Sequence, residues 1–176
     1  FDYAGTFNDG PTGLFRVHVG DQWYSWSQFE SIDARAAFPG FDEPGFKTPF
    51  TVSLTTKPGF VALSNAPETG KPAKVGALVR HRFIATKPLP TYLVAFVVGP
   101  FSTIGTKVAP TPERRTPLPL RIVGTQPYKD RMQFALDNSG PIVALLEKYF
   151  GQAFPFPKLD QIGSPVMPGA MENAGA

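Results

Sequence analysis

The residues whose types could do chemistry lie at the end of the sequence, in the stretch PGAMENAGA at positions 168–176. Glu172 is the only charged residue of this stretch. Because Gly169 and Ala170 leave the backbone uncrowded, another extended chain could add beside it as a strand. A carboxylate next to such an edge could bind a cation, such as the free amine of a peptide. On the residues alone, a mobile tail is an equally good interpretation.

A second candidate is the acidic pair Asp42 and Glu43 in FPGFDEPGFK, at positions 38–47. Adjacent residues of a strand face opposite sides, so these two carboxylates cannot act as a pair on one face. Asp42 could instead accept hydrogen bonds from backbone N–H groups of the turn that follows it. Arg35 could pair with Asp33 or with Asp42. A structural turn is the favoured interpretation, and a catalytic acid pair is the alternative.

Metal ligands and activated nucleophiles are scarce. The chain has no Cys, and its two histidines, His18 and His81, lie in separate strand-like segments. They are better interpreted as ordinary strand residues than as a zinc-binding pair. The sequence contains no HExxH, CxxC, GxSxG or phosphate-loop motif. We therefore predict neither a metal site nor catalytic residues within these 176 residues.

The composition is that of a folded protein, because 42% of the residues are hydrophobic and only 18% are charged. The 20 Pro and 17 Gly favour short strands and turns, and the 16 Phe indicate an aromatic-rich core. No apolar run is long enough to cross a membrane. The net charge of +3 is mild. Its densest basic stretch, ERRTPLPLR at 113–121, is better explained as a solvated loop than as a nucleic-acid patch, so no nucleic-acid partner is expected.

The elements that must position these residues are mostly β up to about residue 124. Residues 46–56 place Phe50, Val52 and Leu54 on one face at period 2. TYLVAFVVGPF at 91–101 is almost continuously apolar, which predicts a central strand buried on both faces. Regular spacing with Pro and Gly turns predicts an antiparallel β-sandwich or saddle. The other predicted strands cover residues 13–19, 60–65, 78–86 and 119–124.

The periodicity changes near residue 126. Apolar residues at helical spacing predict a helix over 128–151, ended by Gly151. Pro141 is expected to kink or split this helix, with Ser139 capping the second half. A short strand is predicted over 161–166. A new fold therefore begins near residue 125.

Four segments, in this order, resemble the zinc aminopeptidases of the alanyl, puromycin-sensitive and leukotriene-A4-hydrolase family. The segments are QFE followed by DARAAFPGFDEPGFKTPF, then PTYLVAFVVGPF, YFGQAFPFPKLD and PGAMENAGA. The resemblance covers nearly the whole chain. It implies a mostly β protein, with an antiparallel β-saddle domain over residues 1–124 whose beginning is missing. The truncated start of an α+β, thermolysin-like catalytic domain would follow over residues 125–176.

The resemblance also implies substrate-binding residues, in two groups. Glu172 would bind the α-ammonium group of a peptide, and the three residues before it would hydrogen-bond the peptide main chain. The earlier pair would line the first side-chain pocket and help to hold the amine. The pair that lines the pocket consists of Gln28 and Glu30. The other group consists of Gly169, Ala170, Met171 and Glu172.

In this family an HExxH motif and a later Glu bind zinc, and these are expected downstream of Ala176. The resemblance therefore implies a full-length zinc aminopeptidase that acts on peptides with a free N-terminus. This segment by itself is expected to bind no zinc and to be inactive. The alternative is a non-catalytic peptide-binding module of the same fold, whose full-length protein lacks a competent zinc site.

Overall fold

Ten strands and one long helix are found in residues 1–167 and 169–176, the residues described by this computed structural model. The chain divides into two units, Phe1–Pro100 with Pro165–Ala174, and Phe101–Ser164 with Gly175–Ala176. The division of the chain into domains at residues 1–124 and 125–176 stays a prediction. The elements are β1 (Gly13–Val19), β2 (Gln22–Gln28), β3 (Ser53–Thr56), β4 (Val61–Leu63), β5 (Ala73–Val75), β6 (Leu78–Arg82), β7 (Val97–Gly99), β8 (Ser102–Val108), β9 (Leu118–Gly124), α1 (Met132–Phe150) and β10 (Leu159–Ile162).

The fold is mostly β with antiparallel sheets, which confirms the predicted class. The first unit contains a four-stranded sheet in the order β1-β2-β7-β4 and a three-stranded sheet in the order β3-β6-β5. Phe50 and Leu54 pack around Val52, Ala62 and Phe83 in one core cluster, as the period-2 pattern predicted. In the β1–β2 hairpin Gly13 pairs with Gln28, so the hairpin ends at a predicted site residue.

The apolar stretch at 91–101 is not one strand, which corrects the prediction. Thr91–Leu93 is a 3₁₀ helix, and only β7 pairs with β2 and β4. The interior position of β7 in its sheet does agree with the prediction. Residues 91–96, called the 91–96 segment below, are bound by side chains from other parts of the chain. Apolar composition reports burial, and it does not report which groups satisfy the backbone.

The second unit consists of the sheet β10-β9-β8 and helix α1, which packs against β8 and β9. Strand β10 runs parallel to β9 and begins two residues before the predicted strand. The core of this unit is formed by apolar side chains from all these elements. They are Val108, Leu118, Leu120, Ile122, Met132 and Val143, with Ile104, Ala135, Leu136, Phe154 and Leu159 packed around them.

Helix α1 ends as predicted but does not divide. Gly151 adopts the left-handed conformation with φ 62°, and its N–H bonds the carbonyl of Glu147. The helix continues through Pro141, so the predicted split, with Ser139 capping a second half, was wrong. The Ser139 hydroxyl oxygen instead lies 2.6 Å from the carbonyl oxygen of Ala135 and 2.9 Å from Oε1 of Gln161. This side chain therefore contacts strand β10 and does not cap the start of a helix.

A buried ion pair joins the Pro-rich loop between β8 and β9 to helix α1. Arg114 Nε lies 2.7 Å from Glu147 Oε1, and both side chains are buried. The Glu147 carboxylate also accepts bonds from Thr111 Oγ1 and the N–H of Phe154. Burial alone would raise the pKa of Glu147, but these hydrogen bonds and the Arg114 charge hold that pKa below its ordinary value. Arg114 is thus an internal residue and not part of a solvated loop.

A second buried carboxylate fixes the loop that carries FPGFDEPGFK. Asp42 Oδ2 accepts from the backbone N–H of Arg35 at 2.8 Å and from its Nε at 3.1 Å. Asp42 Oδ1 accepts from Thr91 Oγ1 at 2.5 Å. Burial would raise the pKa of Asp42, but the bonds from Thr91 and Arg35 outweigh it and lower the pKa. The structural role favoured for Asp42 holds, although its donors are Arg35 and Thr91 and not the following turn.

Replacing Glu147 by Gln should destabilise the chain by about 3–5 kcal/mol, because Arg114 then keeps a buried charge without its partner. Urea unfolding followed by circular dichroism measures this free energy, and Asp137→Asn on the exposed side of α1 is the control. The lowered pKa of Glu147 means that its contribution is present above pH 4.5, its ordinary value, and is lost as the pH falls further. The difference between wild type and Glu147→Gln should therefore shrink below pH 4.5; a constant difference would contradict this account.

The neighbouring acids Asp42 and Glu43 should differ sharply on truncation. Asp42→Ala leaves the Thr91 hydroxyl and the Arg35 N–H without their acceptor. We therefore expect the free energy of unfolding to fall by about 1–3 kcal/mol. Glu43 is exposed, so Glu43→Ala should change the free energy of unfolding by less than about 0.5 kcal/mol. The same urea titration compares the two variants. Equal effects would show that the Asp42 bonds do not hold this loop.

Candidate functional site

The hairpin β1–β2 positions Gln28 and Glu30 through the residue between them. Phe29 is fully buried, and its ring packs edge-on against Phe38 and Phe96 at centroid distances of 5.8 and 5.9 Å. Because Phe29 is fixed in the core, the backbone of its two neighbours, Gln28 and Glu30, is held in place as well. Glu30 is exposed. Gln28 Oε1 is buried and has no hydrogen-bond partner among the residues described. Buried polar atoms are nearly always paired, so this oxygen is a candidate acceptor for a ligand.

Ser27 ties the end of β2 to the 91–96 segment. Its hydroxyl donates to the carbonyl of Val94 at 3.3 Å and accepts from the N–H of Phe96 at 2.8 Å. Both bonds are made by backbone groups that would belong to a sheet ladder if this segment were a strand. Gln28 follows Ser27 directly, so its backbone position is set by these bonds.

Two asparagines tie the other predicted motif to the same segment. Asn173 Nδ2 donates to the carbonyl of Leu93 at 3.0 Å. Asn65 Nδ2 donates to the same carbonyl at 2.7 Å and to the carbonyl of Ala174 at 3.2 Å, and its Oδ1 accepts from the N–H of Ala95 at 2.9 Å. Asn173 is therefore held on the 91–96 segment directly, and Ala174 is held there through Asn65.

The structure thus connects the two groups of predicted site residues to one short segment. Ser27, next to Gln28, and Asn173, next to Glu172, bond the neighbouring carbonyls of Val94 and Leu93. Sequence reasoning missed Ser27, Asn65 and Asn173 as contributors. A signal was available for Asn65, because a polar amide at the end of the apolar stretch FVALSN must find partners if it is buried.

Residues 169–173, called the GAMEN run below, form no helix or strand. Gly169 and Ala170 are exposed and Met171 is half-buried, and the backbone groups of these three residues bond no other described residue. The Glu172 carboxylate is exposed and has no hydrogen-bond or salt-bridge partner in the described part of the chain. Pro168, the first residue of the motif PGAMENAGA, lies outside the described residues.

In the second unit, Gly175 is held by a cluster of buried charges. Its carbonyl accepts from Lys158 Nζ at 2.7 Å and from the N–H of Asp160 at 3.2 Å. The Asp160 carboxylate pairs with Lys158 at 2.7 Å and, through both oxygens, with Arg121. Burial lowers the pKa of Lys158, although the Asp160 charge opposes this shift. Within the second unit, Gly175 is therefore held by both Lys158 and Asp160.

The described residues, 1–167 and 169–176, contain no group of three or more His, Asp or Glu side chains that could hold a metal ion. Both histidines have structural neighbours. His81 Nδ1 lies 2.8 Å from Glu68 Oε1, and the His18 ring packs 4.8 Å from that of Trp23.

None of the helices in the described part of the chain has both the length and the apolar character that a membrane crossing requires.

The Peptidase M1 N-terminal domain family matches residues 1–93 of the chain. The chain is 38% identical to Aminopeptidase M1-B of Oryza sativa subsp. japonica over 181 residues, which cover 99% of this chain and 20% of that protein. It is 33% identical to the mitochondrial Aminopeptidase 2 of Saccharomyces cerevisiae and 31% identical to Endoplasmic reticulum aminopeptidase 1 of Homo sapiens. Each of these two matches covers 98% of this chain and 18% of the relative.

The chain therefore spans about a fifth of the length of these three relatives. The family match covers more than half of the chain, and the relatives match it from end to end. The order of motifs noted in the sequence agrees with both findings. The chain belongs to the M1 aminopeptidase family.

Proposed function

We propose that this chain is part of a zinc-dependent aminopeptidase and that it supplies the site for the free α-amino group of a peptide substrate. The observation that carries the proposal is the attachment of Ser27 and Asn173 to neighbouring carbonyls of the 91–96 segment. This attachment keeps Gln28 and Glu172 at fixed backbone positions on one scaffold. The names of the relatives, all aminopeptidases, support the reaction class.

Recognition of the amine follows from the hydrogen-bonding capacity of these side chains. A primary ammonium group donates three hydrogen bonds, and Glu172, Glu30 and Gln28 are all acceptors. Glu172 is exposed without an internal partner, and Gln28 Oε1 is buried without one, among the residues described. Bonds between an ammonium and carboxylates are charge-assisted and stronger than neutral ones. A peptide with a blocked N-terminus cannot make them, so the proposed activity is that of an exopeptidase.

Residues 169–171 are proposed to bind the main chain of the substrate. Their backbone groups bond no other described residue, so they are free to pair with an extended peptide. A Cβ built on Gly169 would meet no atom within 4 Å, so the space beside this residue is open. Gln28 and Glu30 are proposed to line the first side-chain pocket as well as to contact the amine.

The proposed zinc belongs to the full-length protein, with its HExxH motif and later Glu outside this chain. The proposed contribution of the residues described here is to bind and orient the substrate. The 176-residue chain alone is accordingly proposed to be inactive. A full-length protein that binds free-amine peptides without cleaving them would instead be the non-catalytic peptide-binding module.

Replacing Glu172 by Gln in the full-length protein should lower kcat/KM for an aminoacyl 4-nitroanilide by about 10- to 100-fold. Hydrogen bonds to charged groups contribute about 1.5–3 kcal/mol, which corresponds to this range. The exposed Glu43, which lies in the FPGFDEPGFK loop, provides the matched control variant Glu43→Gln. The N-acetylated form of the same substrate should not be cleaved by the wild type.

Two results would contradict the proposal. One is an unchanged kcat/KM in Glu172→Gln, because the amine would then be bound elsewhere. The other is efficient cleavage of the acetylated substrate, because a free amine would then not be required.

A further inference from the structure

We infer that Asn65 is a positioning residue for amine recognition, which holds Glu172 in register with Gln28 without touching the substrate. The inference rests on the proposed function and names a residue that the family resemblance did not point to. Its basis is the set of three hydrogen bonds that join Asn65 to Leu93, Ala95 and Ala174.

The chemistry of the amide explains why this residue type is needed. Asn65 is only 3% exposed, so each of its polar atoms must be paired inside the protein. Its amide nitrogen donates to two carbonyls, and its amide oxygen accepts one N–H. An Asp at this position would place a negative oxygen against two carbonyl oxygens. A Leu would leave the Ala95 N–H and the Ala174 carbonyl without these partners, and the Leu93 carbonyl with the Asn173 amide alone.

The hydrogen-bond partners of Asn65 differ from those of Ser27 and Asn173. Among the residues described, the Ser27 hydroxyl bonds the 91–96 segment alone, on the side of Gln28. In the described part of the chain, the Asn173 side chain bonds Leu93 alone, on the side of Glu172. Asn65 bonds both the 91–96 segment and Ala174, two residues after Glu172. Loss of these bonds should therefore shift the Glu172 backbone relative to Gln28.

A purely structural role predicts a different behaviour. If Asn65 only stabilised the fold, its replacement would lower the unfolding temperature and would act independently of Glu172. If it positions Glu172, its effect on binding must disappear once the Glu172 carboxylate is gone. A double-mutant cycle between the two residues separates these cases.

The test uses the full-length protein, with leucinamide as a free-amine competitive inhibitor and leucine 4-nitroanilide as substrate. Asn65→Ala should raise the inhibition constant of leucinamide by about 10- to 100-fold, since small displacements of a binding group have effects of this size. In the Glu172→Gln background the same replacement should change the inhibition constant less than about 2-fold. Asn65→Ser, which keeps a polar group in the site, should show a smaller effect with the same dependence on Glu172, and it replaces Asn65→Ala if that variant does not fold.

The control is Thr56→Val in the same unit. Thr56 is buried, and its hydroxyl contacts the Lys57 carbonyl and His81 Nε2. This variant should lower the unfolding temperature while leaving the inhibition constant unchanged in both backgrounds. It shows what loss of a buried polar contact does by itself.

The outcomes distinguish the inference from the proposed function. Equal effects of Asn65→Ala or Asn65→Ser with and without the Glu172 carboxylate would overturn the inference alone. If Glu172→Gln changes neither leucinamide inhibition nor substrate turnover, the proposed function fails, and the inference that rests on it fails with it. An effect of Asn65 that depends on Glu172 supports both.

Discussion

The first unit depends on a partly buried segment, several of whose backbone groups are bonded by side chains from other parts of the chain. Within the 91–96 segment, Leu93, Val94, Ala95 and Phe96 bond Asn65, Asn173 and Ser27 instead of a neighbouring strand. Buried backbone groups are almost always paired, so each of these side chains replaces a ladder bond that the segment lacks. The Asp42 carboxylate adds a bond to the Thr91 hydroxyl at the start of the segment. Four distant parts of the sequence meet at one place for this reason.

The second unit is organised by buried charges in place of buried amides. Glu147 is paired with Arg114, and Asp160 is paired with both Lys158 and Arg121. Burial of an ion pair adds little net stability, because desolvation offsets the attraction, but removal of one partner is costly. The pairs therefore connect the loop, the helix and the strands of this unit by contacts that are costly to break. The bond from Lys158 to the Gly175 carbonyl extends these contacts to the residues just after the GAMEN run.

The proposed recognition of the substrate amine needs acceptor atoms that are not already paired within the protein. Glu172 has no partner among the residues described, although the residues that follow it are firmly bonded. Gln28 is likewise adjacent to a fully satisfied residue, Ser27, while its own amide oxygen is unpaired within the described chain. In both places a residue with bonded side-chain atoms stands next to a proposed binding residue whose own acceptor is unpaired. Such an arrangement would restrict the motion of the binding residue before a ligand arrives.

Local patterns determined much of this protein from the sequence alone. Strand β1 has the predicted bounds, and Gly151 ends α1 because only a residue without Cβ adopts that conformation freely. The motif order also predicted the family, since it depends only on residue types and spacing. The tertiary structure decided which groups satisfy the 91–96 segment and whether Ser139 caps a helix. Those outcomes depend on hydrogen bonds between distant residues, such as the bond from Asn65 to Ala174, 109 positions apart, which no local periodicity encodes.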